Sequence, residues 1–560
     1  MRKFFMSIAT RIASDEVYDF IVTQEELDEI TLPAIAVQTI NEVYSVAYYE
    51  SATLPPLSIR DYSYSSIPKC FFLMDSIAMA ESGVLSLQNQ PGLALKGENV
   101  LVGIIDTGID YRNPLFINEA GETRILSIWD QEGEDNPPQG FLYGREYNKE
   151  MIQQAIMEEN SLEIVPQEDV LGHGTFLASL AAGGEDREQD FIGAAPECEL
   201  VIVKLKQAKQ NLRDFYFFSS ETPLFQENDI MAGVAYLEQI AEREKRPMVV
   251  LIGVGSNAGS HVGTGPLAST LDLFGVKTGR GAVIAAGNQA AARHHFAGAA
   301  QSLLNPVAVE VNVDEGVEGF CAELWAYAPE LVRVVVQSPT GQRSGGDFPI
   351  MEDTQTTNFI FENTLLTLDY RIPGRGRRDL LVYLRFTTPA PGLWTILVYP
   401  QQTITGEFHI WLPIQDKVFF LQPEPDGTIT NPGDAMIPIT VGGYDALTGA
   451  GYIESGRGFA EESGAKPEFV APAVDVSGAG LRNNYVENTG TSVGAAITTG
   501  VTAQVLEWGI VRGNAPTMNS LEVKNLLIRG SRREENVVYP NTESGYGKLD
   551  VYNSFEVLRK

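Results

Sequence analysis

The sequence predicts an α/β protein in which helices cover both faces of a parallel sheet, with an N-terminal α+β unit and an inserted all-β sandwich. From about residue 97 onward, short apolar runs alternate with helical patterns, as in a parallel sheet buried on both faces. Between about 307 and 435 the helical patterns stop, and strand-like runs follow one another between turn residues. The chain has 560 residues, more than one compact domain of roughly 100–200 residues needs.

The N-terminal unit is a small mixed fold that we place at residues 1–64. Strand-like runs at 17–22 (VYDFIV) and 34–49 (AIAVQTINEVYSVAYY) flank a helix-like QEELDEI segment. The unit ends at a linker-like stretch that contains two prolines and the SYSS segment.

The α/β unit is predicted in two parts, residues 65–306 and 436–560, separated by the sandwich at 307–435. Its buried strands are NVLVGIID, ELVIVKL, PMVVLIGVG and GAVIAAGN, and helices are predicted at 227–244 and 492–508. The sandwich is predicted from six strand-like segments: LVRVVVQSP, TNFIFEN, TLLTLDYRI, DLLVYLRF, GLWTILVYP and EFHIWLP. We expect this β unit to interrupt the α/β unit as an insertion.

Composition excludes several classes of protein. The 40 Lys and Arg against 73 Asp and Glu give a net charge of −33, which disfavours binding to nucleic acid. Arg11 interrupts the N-terminal apolar run, and no run approaches the ~18 residues of a membrane span, so we expect cytoplasmic synthesis. The three cysteines form no CxxC pair, so we expect buried thiols and no structural zinc site.

Three glycine-bracketed segments carry the candidate chemistry: Asp106 in IIDTGID, His173 in GHGTFLASLAAG and Ser492 in GTSVGAA. Taken alone, each has an ordinary structural explanation as a turn former, a buried histidine or a helix cap. Together they place an acid after a strand and two polar groups at helix starts. Functional groups collect at such positions in open α/β sheets.

These segments resemble the three signatures of the subtilisin-like serine peptidases, the subtilases of family S8. AAGN, ending in Asn288, resembles the oxyanion-hole segment of that family, and LIGVGSNAGSH (251–261) resembles its substrate-binding strand. KPEFVAPAVDV (466–476) resembles the stretch upstream of the serine. Val493 and Gly494 depart from the residues that commonly follow the serine. Gly253 and Val254 depart from the usual Ser and Leu, which leaves the shape of the S1 pocket open.

The resemblance implies a serine endopeptidase with assigned roles. Ser492 would attack the scissile carbonyl, His173 would carry the proton, and Asp106 would orient the imidazole. The Asn288 side chain and the backbone N–H of Ser492 would hold the oxyanion. An extended substrate would pair with Gly253, Val254 and Gly255 as an added strand.

The N-terminal unit resembles a subtilase propeptide, an intramolecular chaperone that such enzymes cut off themselves. Matching IPKCFFLMDSIAMAESG to the start of the mature family enzymes places the cut near Tyr62–Ser66, with Tyr64 as the residue before the bond. The stretch 86–92 (SLQNQPG) is a second candidate.

The whole layout resembles the Csp proteases of spore-forming Clostridia, in which the insertion is a jelly roll. That resemblance implies a prodomain that tends to stay bound as a partner, and a protein substrate that is the zymogen of a spore-cortex hydrolase. It also implies a role in spore germination and incorporation into the spore.

Three alternatives stay open at this point. The first alternative is a general clostridial subtilase of unknown substrate, and the second is a binding protein whose active site the prodomain blocks. In the third, the sandwich binds glycans through Trp325, Trp394 and Trp411. The implied chemistry requires no cofactor, while the acidic composition leaves calcium binding open with no ligands assigned. His294 and His295 are neighbours that would face opposite ways on a strand, which argues against joint metal ligation.

Overall fold

A computed structural model describes residues 7–29, 33–74, 88, 93–345, 352–373, 378–460 and 464–559. The elements of the N-terminal unit are α1 (Ile8–Ala13), β1 (Val17–Thr23), α2 (Gln24–Glu29), β2 (Ala36–Thr39) and β3 (Tyr44–Glu50), followed by a short 3₁₀ turn at Ser51–Thr53. The strands form a three-stranded antiparallel sheet with β3 between β1 and β2, accompanied by the two short helices. One more strand, β4 (Cys70–Leu73), follows the unit.

The strands of the first α/β part are short and mostly buried, as the apolar runs predict. They are β5 (Leu101–Asp106), β6 (Ile125–Asp130), β7 (Arg145–Asn148), β8 (Glu199–Lys204), β9 (Phe225–Gln226), β10 (Met248–Ile252), β11 (Val254–Gly255) and β12 (Arg280–Ala285). The helices between them are α3 (Lys149–Met157), α4 (Ser161–Ile164), α5 (His173–Ala182), α6 (Gln210–Tyr216), α7 (Glu227–Glu244) and α8 (Pro266–Gly275). A 3₁₀ turn spans Pro114–Phe116.

The insertion is a sandwich of a six-stranded and a four-stranded antiparallel sheet. Its strands are β13 (His295–Ala299), β14 (Val307–Val313), β15 (Gly319–Ala326), β16 (Leu331–Gln337), β17 (Thr354–Phe359), β18 (Thr364–Arg371), β19 (Leu380–Thr387), β20 (Gly392–Gln402), β21 (Glu407–Trp411) and β22 (Val418–Phe420). The strand orders in the two sheets are β13-β21-β15-β19-β18-β17 and β16-β20-β14-β22. The sheets enclose their own apolar core. Strand β13 pairs with β21 although it lies before residue 307, the predicted start of the insertion.

The chain then returns to the α/β unit. This second part contains β23 (Ile439–Tyr444), β24 (Phe459–Ala460), β25 (Gly464–Ala465), β26 (Phe469–Pro472), β27 (Val476–Ala479) and β28 (Tyr485–Asn488). Its helices are α9 (Thr491–Leu506), α10 (Ser520–Gly530) and α11 (Val551–Val557), with a 3₁₀ turn at Leu481–Asn483 and a π turn at Glu507–Val511.

The central sheet joins both parts of the α/β unit in the order β26-β23-β12-β10-β5-β8-β6-β7. All neighbouring strands are parallel except β6 and β7, so the predicted parallel sheet is confirmed. Alternate residues of β5 face the two layers: Val102 and Ile104 belong to the core that contains α5 and α9, whereas Leu101 and Ile105 belong to the core under α7 and α8. The carboxyl ends of β5, β10 and β12 therefore lie along one edge of the sheet.

The N-terminal unit packs on the α7–α8 side of this sheet. Ile21, Val46 and Tyr48 share an apolar core with Phe225 and Met231. Strand β4 then becomes the middle strand of a small antiparallel sheet, between β11 and β9. Among the described residues, no helix has the combination of length and apolarity that crossing a membrane requires.

Candidate active site

Asp106 and His173 are brought together by the end of β5 and the beginning of α5. The distance from His173 Nδ1 to Asp106 Oδ1 is 2.6 Å, and both side chains are buried. The backbone N–H of Thr107 also donates to Asp106 Oδ1, at 2.8 Å. The carboxylate therefore holds one ring nitrogen, Nδ1, and fixes the orientation of the imidazole.

A buried carboxylate that the sequence reasoning missed, Asp169, ties these two segments together. It accepts hydrogen bonds from Thr107 Oγ1 and Gly172 N at 2.8 Å, and from the N–H and hydroxyl of Thr175 at 2.8 and 2.7 Å. Four donors from both sides of His173 therefore converge on one side chain. An acidic residue four positions before the histidine was the available signal, but its spacing alone does not distinguish it from a solvated loop residue.

The glycines of the two motifs meet at van der Waals distance. A Cβ atom added to Gly174 would lie 2.2 Å from the carbonyl oxygen of Gly108, closer than any side chain tolerates. The backbone N–H of Gly174 donates to Thr107 Oγ1 at 2.9 Å. The glycine after His173 is thus required so that the two backbones can approach each other.

Ser492 is the second residue of α9, and its side chain is buried. Asn288 lies beside it in the loop after β12. The Oδ1 atom of Asn288 accepts from the N–H and the hydroxyl of Thr491, at 3.0 and 3.1 Å. The Thr491 hydroxyl accepts from Gly287 N at 2.9 Å. Because these bonds engage Oδ1, the side-chain amide is held with its Nδ2 donor on the opposite side.

Gly253 lies against the Asp106–His173 pair. A Cβ atom there would be 2.6 Å from Leu177 Cδ1, 3.1 Å from Asp106 Oδ2 and 3.2 Å from His173 Cε1. A side chain at this position would displace the Leu177 methyl and press on Asp106 and His173, so glycine fits here where the family more often has serine. Val254 and Gly255 follow directly as β11.

Strand β4 fills the position of an added strand beside β11. Leu73 pairs with Val254 and Phe72 with Gly255, in antiparallel register. On the other side, Phe71 pairs with Phe225. Continuing the register by one residue sets Met74 opposite Gly253, and Met74 is 2% exposed.

The residue predicted to precede the cleavage site, Tyr64, lies elsewhere. Its ring packs against Trp325 and Tyr383 of the insertion, and its hydroxyl donates to Glu323 Oε2 at 2.6 Å. Its backbone oxygen accepts from Lys69 Nζ at 2.9 Å. Tyr64 is a buried docking residue, and the strand beside β11 begins six residues later.

The second candidate, 86–92, lies outside the described residues apart from Gln88, whose side-chain amide donates to the carbonyls of Gly193 and Ala194.

A threonine from the segment that returns from the insertion, Thr430, forms a wall beside Met74. A Cβ atom on Gly255 would lie 2.4 Å from Thr430 Oγ1 and 3.0 Å from Met74 Cε, and one on Gly287 would lie 2.5 Å from Thr430 Cγ2. Thr430 N donates to the Ala286 carbonyl at 3.0 Å. The sequence reasoning missed Thr430 because it is distant in sequence from every motif.

The remaining candidate ligand residues are buried structural groups. Trp325, Trp394 and Trp411 are at most 3% exposed, so none of these rings is presented to a glycan in solution. The three cysteines are free and buried. In the part of the chain that the structure describes, no group of three or more His, Cys, Asp or Glu side chains is arranged to hold a metal ion.

Comparisons with known proteins agree with this architecture. A model of the subtilase family (Peptidase_S8) matches residues 97–313 and 421–547, more than half of the chain. A solved structure titled as the CspB protease of Clostridium perfringens is 28% identical, with a TM-score of 0.77 over 86% of this chain and 97% of that one. Sphericase is 14% identical, with a TM-score of 0.43 over 85% of this chain and 99% of its own. No curated protein sequence matches the chain.

Proposed function

The chain belongs to the subtilase family and is a subtilisin-like serine endopeptidase, and from this premise we propose that Asp106, His173 and Ser492 form its catalytic triad. We further propose that the enzyme cuts its own chain after Met74. The observation that carries the second proposal is the pairing of β4 with β11 beside His173.

In the proposed reaction, Ser492 Oγ attacks the scissile carbonyl carbon and its proton passes to His173 Nε2. The imidazolium that forms is stabilised by Asp106, whose Oδ1 lies 2.6 Å from Nδ1. The histidine then returns the proton to the leaving amine. Water enters in the second half of the reaction, takes the place of the amine and hydrolyses the acyl-enzyme.

Asn288 and the Ser492 N–H are the proposed oxyanion donors. Two bonds from Thr491 fix the Oδ1 end of the Asn288 amide, which supports a preorganised Nδ2 donor. Loss of one such donor typically costs about 10²–10³ in turnover.

The bond between Met74 and Asp75 is the proposed site of self-cleavage. The residues that precede this bond, 71–74, are extended: 71 pairs with β9, 72 and 73 pair with β11, and Met74 is buried. A substrate that adds a strand to a sheet gains backbone hydrogen bonds for affinity and side-chain pockets for specificity. The Met74 side chain lies in an apolar core, and its Cε and Thr430 Oγ1 both lie within 3.0 Å of the position that a Cβ atom on Gly255 would take, which favours an apolar residue there.

Replacing Met74 with aspartate is expected to slow self-cleavage about 100-fold, because a carboxylate would enter an apolar pocket. The rate is measured by pulse-labelled cell-free synthesis followed by gel electrophoresis. N-terminal sequencing of the wild-type large fragment should begin at Asp75.

Tyr64→Phe is the matched control and is expected to be cut at the wild-type rate after Met74. A large fragment that begins at Ser65 would overturn the assignment in favour of cleavage after Tyr64.

The proposed physiological substrate is a protein zymogen of the spore-cortex hydrolase class, cut during spore germination by an enzyme incorporated into the spore. The likeness to a CspB protease over most of both chains supports this choice over an unspecified substrate. The test is incubation of the processed enzyme with the cortex-hydrolase zymogen of the same organism. One discrete new N-terminus with wild type, and none with Ser492→Ala, is the expected result, and an intact zymogen with both would refute the role.

One observation favours a second candidate, a protein that the bound prodomain keeps catalytically silent: β4 fills the position of a substrate strand. Fluorophosphonate labelling of the processed protein separates the two candidates. We expect labelling of wild type and none of Ser492→Ala. Absence of labelling in both would favour the silent protein.

A further inference from the structure

We propose that the inserted sandwich is a positioning device for the substrate cleft, which holds in place both the loop that continues the substrate-binding strand and the segment that carries Asn288. This inference rests on the proposed function of those two segments. The strand β11 is only two residues long and follows β10 of the central sheet, so the position of its far end depends on what holds the residues after it, 256–261.

Glu323 of β15 is the central contact. Its Oε2 atom accepts from the backbone N–H of Gly259 at 3.0 Å, from Trp325 Nε1 at 3.1 Å and from the Tyr64 hydroxyl at 2.6 Å. The side chain is 5% exposed, and burial raises the pKa of its carboxyl group. The carboxylate holds these donors in place, because a buried N–H that loses its acceptor is left unsatisfied at a high cost in free energy.

Side chains and backbone of the insertion hold the residues on either side of Gly259. The Tyr327 hydroxyl donates to the Ser260 carbonyl at 2.8 Å. The side-chain amide of Asn257 donates to the Leu412 carbonyl at 3.1 Å. These bonds reach the loop from two different regions of the sandwich.

His261 closes the loop against the insertion. Its ring stacks on Trp411, with ring centroids 4.1 Å apart and an interplanar angle of 11°. Its Nδ1 atom lies 2.8 Å from the carbonyl oxygen of Ile429, in the segment that returns from the insertion. In that segment, Asn431 exchanges backbone hydrogen bonds with Ser256.

The oxyanion side is held in the same way through Gln289, the residue after Asn288. Gln289 Oε1 lies 2.8 Å from His294 Nδ1 and accepts from Asn257 Nδ2 at 3.3 Å. His294 Nε2 lies 3.1 Å from the carbonyl oxygen of Gln415 in the insertion. One connected set of bonds therefore spans both walls of the cleft and ends in the sandwich.

This positioning predicts that loss of the insertion contacts affects catalysis to an extent that depends on the length of the substrate. Alignment of an extended peptide needs the 253–255 backbone in place, and a displacement of 1 Å can cost about 100-fold in rate. A substrate with a single residue before the bond does not use the outer part of that strand. Loosening the insertion contacts should therefore penalise long substrates more than short ones.

The first test uses full-length protein with Glu323→Ala, and compares kcat/KM for Phe-Phe-Leu-Met anilide with kcat/KM for methionine anilide. The ratio of the two is independent of the fraction of active enzyme. We expect it to fall about 10-fold or more relative to wild type. Glu323→Gln, whose amide oxygen still accepts from Gly259, should restore it to within about 3-fold.

Two matched controls, Tyr64→Phe and Tyr370→Phe, distinguish the contacts between the insertion and the loop from other hydrogen bonds of the sandwich. Tyr64→Phe removes only the bond from the N-terminal unit and should leave the ratio unchanged. Tyr327→Phe should lower the ratio, whereas Tyr370→Phe, which removes a hydroxyl bonded to Val334 inside the sandwich, should not. Equal losses on both substrates, or no loss in Glu323→Ala, would overturn the proposal.

A second readout does not depend on activity. Hydrogen exchange of the uncut Ser492→Ala chain, with and without Glu323→Ala, should show about 10-fold faster exchange in peptides covering 256–261. Peptides from β10 and β12 should keep their protection. Unchanged exchange at 256–261 would contradict positioning even if the proposed peptidase function proved wrong.

Discussion

Replacing Ser492 with alanine is expected to leave the chain as a single uncut polypeptide. Ser492 is the proposed nucleophile for the Met74–Asp75 bond, and loss of such a serine lowers turnover by a factor on the order of 10⁶. The measurement is gel electrophoresis of protein made in a cell-free system that has no other protease. Wild type should yield a short fragment that ends at Met74 and a large fragment.

Ser520→Ala is the matched control for this prediction. Ser520 is also a buried serine at the start of a helix, α10, where its Oγ accepts from Ala282 N at 3.2 Å. It lies outside the proposed triad, so this variant should be cut normally. A Ser492→Ala chain that is cut after Met74 without added protease would refute self-cleavage by this serine.

Replacing Asp19 with asparagine is expected to release the cleaved N-terminal unit from the large fragment. Asp19 lies in β1 and forms a fully buried ion pair with Lys209, and it accepts from Gln226 Nε2 and Asn228 Nδ2 at 3.1 and 3.2 Å. Burial lowers the pKa of Lys209. Breaking one partner of a buried pair costs about 3–5 kcal/mol, which corresponds to a dissociation constant weaker by about two to four orders of magnitude.

Gel filtration of the processed protein measures this release. Wild type should elute with both fragments together, and Asp19→Asn with the large fragment alone, which should also react faster with a fluorophosphonate. Asp15→Asn is the matched control, because Asp15 contacts Gln210 N at the same interface but is exposed. Co-elution of both fragments in Asp19→Asn would show that apolar packing alone retains the unit.

The parallel sheet and the insertion could be predicted because their signals are local. Buried strands appear in the sequence as continuous apolar runs. A sandwich without helices appears as more than a hundred residues in which strand-like runs follow one another with no helical pattern between them. The same logic located Asp106, His173 and Ser492, since each lies in a glycine-rich segment at the end of a strand or the start of a helix.

The missed features depend on contacts between distant segments. Strand β13 was not recognised because HFAGA is short and weakly apolar, and its strand character comes from pairing with β21. Asp169 and Thr430 acquire their positions from backbone atoms of other segments. The proposed cleavage after Met74 depends on the register of β4 on β11, a contact between distant segments, whereas the sequence-based prediction of Tyr64 lies ten residues upstream.

The covalent link between β4 and the docked N-terminal unit has a consequence for how such an enzyme would be switched on. A ligand tethered to a neighbouring bound module competes at an effective concentration of about millimolar order, however dilute the protein is. Cutting the Met74–Asp75 bond does not dilute β4, because the strand stays attached to the module on its acyl side. An incoming substrate at micromolar concentration would therefore be outcompeted by the chain itself. Full activity would therefore require a second event that removes or digests the N-terminal unit, and the enzyme that has made only its own first cut would act on other proteins slowly.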